Sequence, residues 1–339
     1  MKIGVVTANI NFSSYIMDEM KKHHEVSLWH WTPKMGTKEY RPSVEAFIDT
    51  VDLIYSEFIQ LPLPHITQYL SAHPEKIKPI VARMDGLDLY SHKYVDWRRV
   101  NALIIPPVQY DRLIESRKYI EANRKLVPLP EIIVKTNIGI DTEMFQPDHQ
   151  RTPTYNIVVH AYMLREVKRI YTAIQIFYDL IAKDGDKPWR LILIGGYDGS
   201  GEYGTIIQEL IQEYRFPLNR LGIIPKNLPR QEWVNFIRQQ DIYWAASVKE
   251  SFGVSVAEAA ASGVHPIVNC WRGVRYLYPK EVITRSPAEM VEATIRWGNL
   301  SDGEKIKNRA HVRSIVEQWD AKKTAVGIRE ICEEVMANE

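Results

Sequence analysis

Lys249-Glu250-Ser251-Phe252-Gly253-Val254-Ser255-Val256-Ala257-Glu258-Ala259-Ala260-Ala261-Ser262-Gly263 carries two glutamates eight positions apart across a strand-to-helix junction. A short apolar strand, Asp241 to Ala246, precedes the first glutamate. Good helix formers carry the second and stop at Gly263, a residue type that ends helices. The strand Val264 to Asn269 follows. The pattern is half of a βαβ unit with a bare backbone turn at Phe252-Gly253. Amides that open a helix after such a turn suit phosphate oxygens. With one carboxylate before the helix and another about two turns into it, the arrangement suits a ligand with an anionic middle and hydroxyls at both ends. A nucleotide-sugar is such a ligand. Two glutamates at this spacing also occur on ordinary amphipathic helices. The complete string of Glu-Ser-Phe-Gly, Glu-Ala, a terminating Gly and a strand is what sets this one apart.

The chain of 339 residues exceeds the usual size of one core and predicts two domains. A net charge of +1 gives no overall argument for a nucleic-acid or membrane partner. Only Cys270 and Cys332 are present, which rules out a disulfide framework and fits a reducing compartment. No apolar run approaches the roughly 18 residues that cross a membrane. The opening Met1-Lys2-Ile3-Gly4-Val5-Val6 reads as a strand and lacks the longer apolar core of a signal peptide. These features predict a cytoplasmic protein and leave peripheral membrane contact open.

Short β-rich runs alternate with helical patterns, the signature of parallel sheets flanked by helices. Expected strands in the first half are 2–7, 26–31, 53–55, 80–83, 102–105 and 132–135, with helices between several of them, such as 15–23 and 66–72. In the second half they are 155–160, 190–195, 220–223, 242–245, 265–269 and 281–284. Pro147, Pro153 and polar neighbours break both patterns between Gln146 and Thr154. The expected division is therefore a domain over 1–148, a second over 149–316 and a charged C-terminal helix over 317–339. The fold class is α/β, with two doubly wound, Rossmann-like domains facing a central cleft at the carboxyl ends of their strands.

The segment from Glu250 to Glu258 resembles the E-x7-E signature of retaining, GT-B-fold glycosyltransferases, specifically family 4 (glycosyl transferases group 1). The resemblance implies that Glu250 approaches the donor sugar's hydroxyls and that Glu258 binds the ribose. It also implies that Ser251, Phe252, Gly253, Val254 and Ser255 present the turn and helix amides to the donor. From the resemblance alone, the last helix is expected to cross back onto the first domain. Asn137-Ile138-Gly139-Ile140-Asp141-Thr142, with Phe145 and Pro147, is similar to the family's interdomain string and reads as a hinge and packing motif.

Ile157 to Arg169 is similar to the family's strand, G-R-L and K-G segment, whose Arg and Lys neutralise the diphosphate. Lys168 falls on the family Lys. The G-R-L positions read Tyr162-Met163-Leu164, so the expected Arg is missing, and Arg165 is the candidate substitute. Lys168 is expected to matter to the chemical step and hardly at all to folding. The turn at Gly195-Gly196 resembles the V-G-x-G turn that faces the nucleotide. It is not a Walker A loop, because no Gly-Lys-Ser/Thr closes it. Ile223 and Ile224 match the segment whose backbone reads the base.

Asp85, in Met84-Asp85-Gly86, stands where the family often places an acceptor-side His or Asp. It is a candidate to orient a hydroxyl, and equally a cap before Gly86. Asp184-Gly185-Asp186 mimics a D-x-D metal motif, but its place between a helix and a strand is turn chemistry. No metal and no separate cofactor are therefore expected. The donor would be a UDP- or GDP-sugar, and its diphosphate charge would be offset by Lys168, Arg165 and helix amides.

The reading that results is a retaining, metal-independent glycosyltransferase with a hydroxyl acceptor: a small molecule, a polysaccharide or a lipid-linked sugar. A second reading is transfer to a macromolecule such as modified DNA, which the basic pairs Arg98-Arg99, Arg117-Lys118 and Arg124-Lys125 would serve. Glutamates interleave those pairs, so a nucleic-acid acceptor is not favoured. A third is a non-catalytic, nucleotide-binding scaffold of the same fold, suggested by the lost G-R-L Arg.

Overall fold

A computed structural model of the chain describes residues 1–31, 37–59, 62–122, 126–160, 166–195 and 201–338. Its contacts divide the chain into two units, Met1–Gly139 with Trp319–Glu339, and Ile140–Gln318. The first unit holds β1 (Lys2–Thr7), β2 (Glu25–His30), β3 (Leu53–Glu57), β4 (Ile80–Arg83), β5 (Ala102–Ile105) and β6 (Ile132–Lys135). They form one six-stranded sheet in the order β2-β1-β3-β4-β5-β6, parallel throughout. Between the strands run α1 (Ile10–Met20), α2 (Thr37–Ile48), α3 (Pro62–Ala72) and α4 (Pro107–Glu121).

The second unit holds β7 (Asn156–His160), β8 (Arg190–Ile194), β9 (Leu221–Ile224), β10 (Ile242–Ala245), β11 (His265–Asn269) and β12 (Ile283–Thr284). Its helices are α5 (Ile170–Lys183), α6 (Gly201–Tyr214), α7 (Arg230–Ile237), α8 (Val254–Ala261), α9 (Pro287–Gly298) and α10 (Asp302–Val316). The sheet order is β12-β11-β10-β7-β8-β9, again all parallel. This is the Rossmann order, and its direction reverses between β7 and β10. Ligands of open α/β sheets bind at such a switch point, outside the carboxyl ends of the strands. The loops leaving β7 and β10 are therefore the ones to inspect.

Helices cover both faces of each sheet, so the strands are apolar on both sides. In β3, Leu53 and Tyr55 pack with Ile3, Val5 and Ile16 on one face. Ile54 packs with Val6, Ile48, Leu63 and Ile66 on the other. After α10 the chain enters α11 (Ala321–Ala337), whose N-cap Asp320 accepts from the amides of Lys322 and Lys323. Ala325, Ile328, Cys332 and Val335 follow a helical period and complete the first of those two faces. In the second unit Ile157, Leu191, Ile242 and Ile267 pack beneath Ala173, Phe177 and Val291.

Two strand ends differ from expectation by two residues, more than any other, and for local reasons. The strand foreseen at 53–55 continues through Ser56 and Glu57, both buried. The strand foreseen at 281–284 keeps only Ile283–Thr284, because Lys280–Val282 winds into a 3-10 turn after Pro279. The string from Thr142 to Arg151 is bound to α10. Arg313 donates to the carbonyls of Thr142 at 2.9 Å and Phe145 at 2.7 Å, and Arg309 donates to those of Asp148 and Arg151. Among the described residues no helix is long and apolar enough to cross a membrane.

Candidate functional site

The loop after β7 ends in a 3-10 turn, Glu166–Lys168, and the loop after β10 carries Glu250. The two loops meet. The amide of Val248 donates to the carbonyl of Val167 at 3.1 Å, and Lys168 Nζ donates to Glu250 Oε1 at 2.6 Å. Lys168 is 23% exposed and Glu250 14%, so the pair is shielded but reachable. Arg169, between that turn and α5, has φ 51°, a left-handed conformation that costs a non-glycine residue roughly 1–2 kcal/mol. Asn269, at the end of β11, braces the β10 loop by donating to the carbonyl of Ser247 at 3.0 Å.

After Glu250 the backbone turns at Gly253, where φ is 76°, and α8 begins at Val254. Glycine is the residue that adopts this conformation without strain. The amides of Val254 and Ser255 open the helix, ahead of Val256 and Ala257, whose amides are the first to bond back to Gly253. The Ser255 hydroxyl is 2.7 Å from the Tyr243 hydroxyl on β10, which ties the first turn of the helix to the sheet. At the other end Gly263, with φ 74°, terminates α8, and the amide of Val264 caps the carbonyl of Ala259 at 2.9 Å.

Glu258 lies in the middle of α8 with a side chain 6% exposed. Trp233 Nε1 donates to its Oε2 at 2.8 Å, and Arg230 Nη1 donates to its Oε1. Burial pushes the Glu258 carboxyl above its usual range, while Arg230 and Trp233 pull it back. His160, the last residue of β7, stacks on Trp233 with ring centres 4.7 Å apart. Burial first, and the Lys168 charge second, hold that imidazole down at about 4. It is neutral near pH 7.

The structure therefore gathers Lys168, Glu250, the start of α8 and Glu258 around the switch point of one sheet. Phe252 is fully buried and anchors the turn from below. Ser251 lies half-buried beside it. Gly195 follows β8 with φ 148°, and its amide donates to the carbonyl of Ile224 at 3.1 Å. Ile223 and Ile224 lie on β9, the edge strand of this sheet. Arg165 and Gly196 lie outside the described residues.

Asp85 belongs to the first unit, just past β4. Its amide donates to Asp88 Oδ2 at 2.8 Å, and the Asp88 amide donates to the Asp85 carbonyl at 3.1 Å. This closes the start of a 3-10 turn, Gly86–Tyr90. Burial pushes the Asp88 carboxyl up to about 7. Beside it, at the carboxyl ends of β3 and β4, Glu57 and Arg83 form a buried ion pair at 3.3 Å. The Tyr55 hydroxyl donates to Glu57 at 2.5 Å. Asp184 holds a turn, as its sequence context predicts, by accepting from Lys187 at 2.9 Å and from the Trp189 indole at 2.9 Å. Among the described residues no group of three or more His, Cys, Asp or Glu is placed to hold a metal ion.

Sequence reasoning missed Arg230, Trp233 and His160 near Glu258, and the Glu57–Arg83 pair. Glu57 left one trace: a carboxylate one residue past an apolar strand run.

Residues 141–285 match the family described as Glycosyl transferases group 1. The match spans most of the second unit, including Lys168, Glu250 and Glu258. A D-inositol 3-phosphate glycosyltransferase from Corynebacterium urealyticum is 28% identical over 142 residues, covering 38% of this chain and 33% of that relative. One of the same description from Corynebacterium aurimucosum is 27% identical over 150 residues, covering 41% and 35%. The matches thus span about a third of these relatives.

Solved structures align over the whole length. Sucrose-phosphate synthase from Thermosynechococcus elongatus superposes with a TM-score of 0.74 at 12% identity, covering 100% of both chains. Anabaena HepE in complex with UDP and glucose gives 0.69 at 15% identity, also covering 100% of both. The fold is that of GT-B glycosyltransferases, two parallel-sheet α/β domains of six strands each.

Proposed function

We propose that this chain is a GT-B glycosyltransferase that moves a sugar from a UDP- or GDP-sugar to a hydroxyl acceptor, with retention at C1 and without a metal ion. The observation that carries the reading is the Lys168–Glu250 pair beside the start of α8, at the switch point of the second sheet. Transfer breaks the bond between C1 and the diphosphate oxygen while positive charge grows on the sugar ring. The departing diphosphate needs fixed positive groups. Lys168 and the amides of Val254 and Ser255 are suited to that work, and Arg165 is assigned to the same charge. In taking Lys168, the diphosphate releases Glu250 to accept hydroxyls of the sugar. Glu258 accepts the ribose hydroxyls, and the turn at Gly195 and Gly196 and the backbone at Ile223 and Ile224 face the nucleotide. The acceptor oxygen attacks C1 and passes its proton to the leaving phosphate, so no protein nucleophile is required. Asp85 is assigned to orient the acceptor.

UDP accompanies the HepE neighbour, and inositol phosphate is named for the curated relatives, which supports a nucleotide-sugar donor and a polyol-type acceptor. The test is a thermal-shift screen of UDP- and GDP-sugars, followed by assay of nucleoside diphosphate release. A donor well above its Kd should raise the melting temperature, because it binds the folded state alone. No shift with any nucleotide-sugar, and no release, would overturn the reading. Binding without release under any acceptor would favour the scaffold.

A further inference from the structure

We propose that Arg230 and Trp233 are positioning residues that hold the Glu258 carboxylate ready for a vicinal cis-diol, the ribose 2′- and 3′-hydroxyls of a nucleotide. The inference rests on the donor site proposed above. An ionised carboxylate offers about four lone-pair sites. Trp233 Nε1 takes one on Oε2 at 2.8 Å, and Arg230 Nη1 takes one on Oε1. One acceptor site is left on each oxygen, which matches in number two hydroxyls on adjacent carbons. A nucleotide lacking the 2′-hydroxyl leaves one of them unfilled.

Both donors come from α7, three residues apart and so on one helix face. Neither is loose. Trp233 is 5% exposed and stacks on His160 at 4.7 Å. The Arg230 guanidinium lies over the Phe145 ring at 4.8 Å. Phe145 is in turn fully buried, and its carbonyl accepts from Arg313. The carboxylate plane is thus set by two restrained donors before any ligand arrives, which reduces the ordering cost of binding. Arg230 has a second effect: a carboxylate this buried favours its protonated form, which accepts less well, and the guanidinium opposes that.

The experiment is titration calorimetry of the full chain with UDP and GDP, and with their 2′-deoxy counterparts. The wild type should bind one ribonucleotide about tenfold or more tighter than its deoxy form, the effect of one hydrogen bond to a charged acceptor. Trp233→Phe keeps the ring on His160 and removes the donor. Arg230→Gln removes the charge. Each should weaken the ribonucleotide about tenfold and bring the ribo-to-deoxy ratio close to one. Arg230→Lys should recover part of the affinity.

A merely structural role would lower the melting temperature and weaken both nucleotides alike, with the ratio unchanged. A variant that keeps the wild-type ratio overturns the role of that residue. Should Trp233→Phe fail to fold, Arg230→Gln, at a half-exposed residue, carries the test. A wild type that binds a nucleoside diphosphate with no preference for the ribo form overturns this proposal and the ribose contact of Glu258, and leaves the rest of the donor site standing. A wild type that binds neither UDP nor GDP overturns the donor site as well.

Discussion

Replacing Lys168 with alanine removes the ammonium that sits 2.6 Å from Glu250, and the effect should be far larger on turnover than on folding. From sequence alone this lysine starts a helix at the surface, where its loss would be invisible in a melting curve. The ion pair changes that expectation. Exposed pairs contribute about 0.2–1 kcal/mol, and breaking a buried one costs about 3–5 kcal/mol. With side chains 23% and 14% exposed the pair lies between, so the folding cost should be roughly 1–2 kcal/mol, a fall of a few degrees. The chemical cost is that of one preorganised charge at a departing diphosphate, about 100- to 1,000-fold in turnover.

The assay is nucleoside diphosphate release at saturating donor, with circular dichroism to confirm folding. Lys168→Ala leaves the Glu250 carboxylate beside the diphosphate without its lysine partner, where it repels the donor. Adding Glu250→Gln removes that repulsion, so the double variant should lose less than the product of the two single losses. Near-normal release in folded Lys168→Ala would refute the reasoning, and strict multiplicativity would show that the pair does not act as a unit.

Donor binding and turnover should survive EDTA, since Asp184 is held in a turn by Lys187 and Trp189; loss on chelation, restored by manganese or magnesium, would count against this. Burial holds His265 at about 4. Unfolded histidine titrates near 6.5, so the unfolded chain takes the proton first as pH falls. His265 therefore withdraws up to about 2 kcal/mol of stability by pH 5. His265→Gln should lower the melting temperature less at pH 5 than at pH 7.5 relative to wild type, and a gap that is constant or widens in acid would contradict the assignment. Gly253→Ala puts a side chain at φ 76° and should cost roughly 1–2 kcal/mol while tilting the α8 amides; an unchanged melt and unchanged donor affinity would show that the turn is not needed.

The strands were legible because a parallel sheet covered on both faces writes each strand as an unbroken apolar run. Ile80–Arg83 and Ala102–Ile105 have the same ends in sequence and structure. Legibility failed where a neighbour decides the ending. Ser56 and Glu57 extend β3 because a buried hydroxyl and a buried ion pair give these polar residues partners inside. Glu250 and Glu258 could be picked out because a local string carries them. Their partners could not. Lys168 is 82 positions from Glu250, and Trp233 is 25 from Glu258. Those pairings exist only once strand order brings the loops after β7 and β10, and α7, into one place. Nothing local marks Arg230 as different from Arg238, one helix length away.

The two passages of chain between the units differ in a way that bears on transplantation. Ile140–Gln318 is one uninterrupted segment, while the other unit is assembled from both ends of the chain. Those ends lie together: a Cβ added to Gly139 would sit 2.6 Å from the Cα of Ala321. The second unit is thus a cassette with one entry and one exit. A gene could lose it or exchange it for another by joining 139 to 319 through a few residues. The half built from the two ends has no such freedom, because cutting the chain before α11 strips Ile328, Cys332 and Val335 from its sheet.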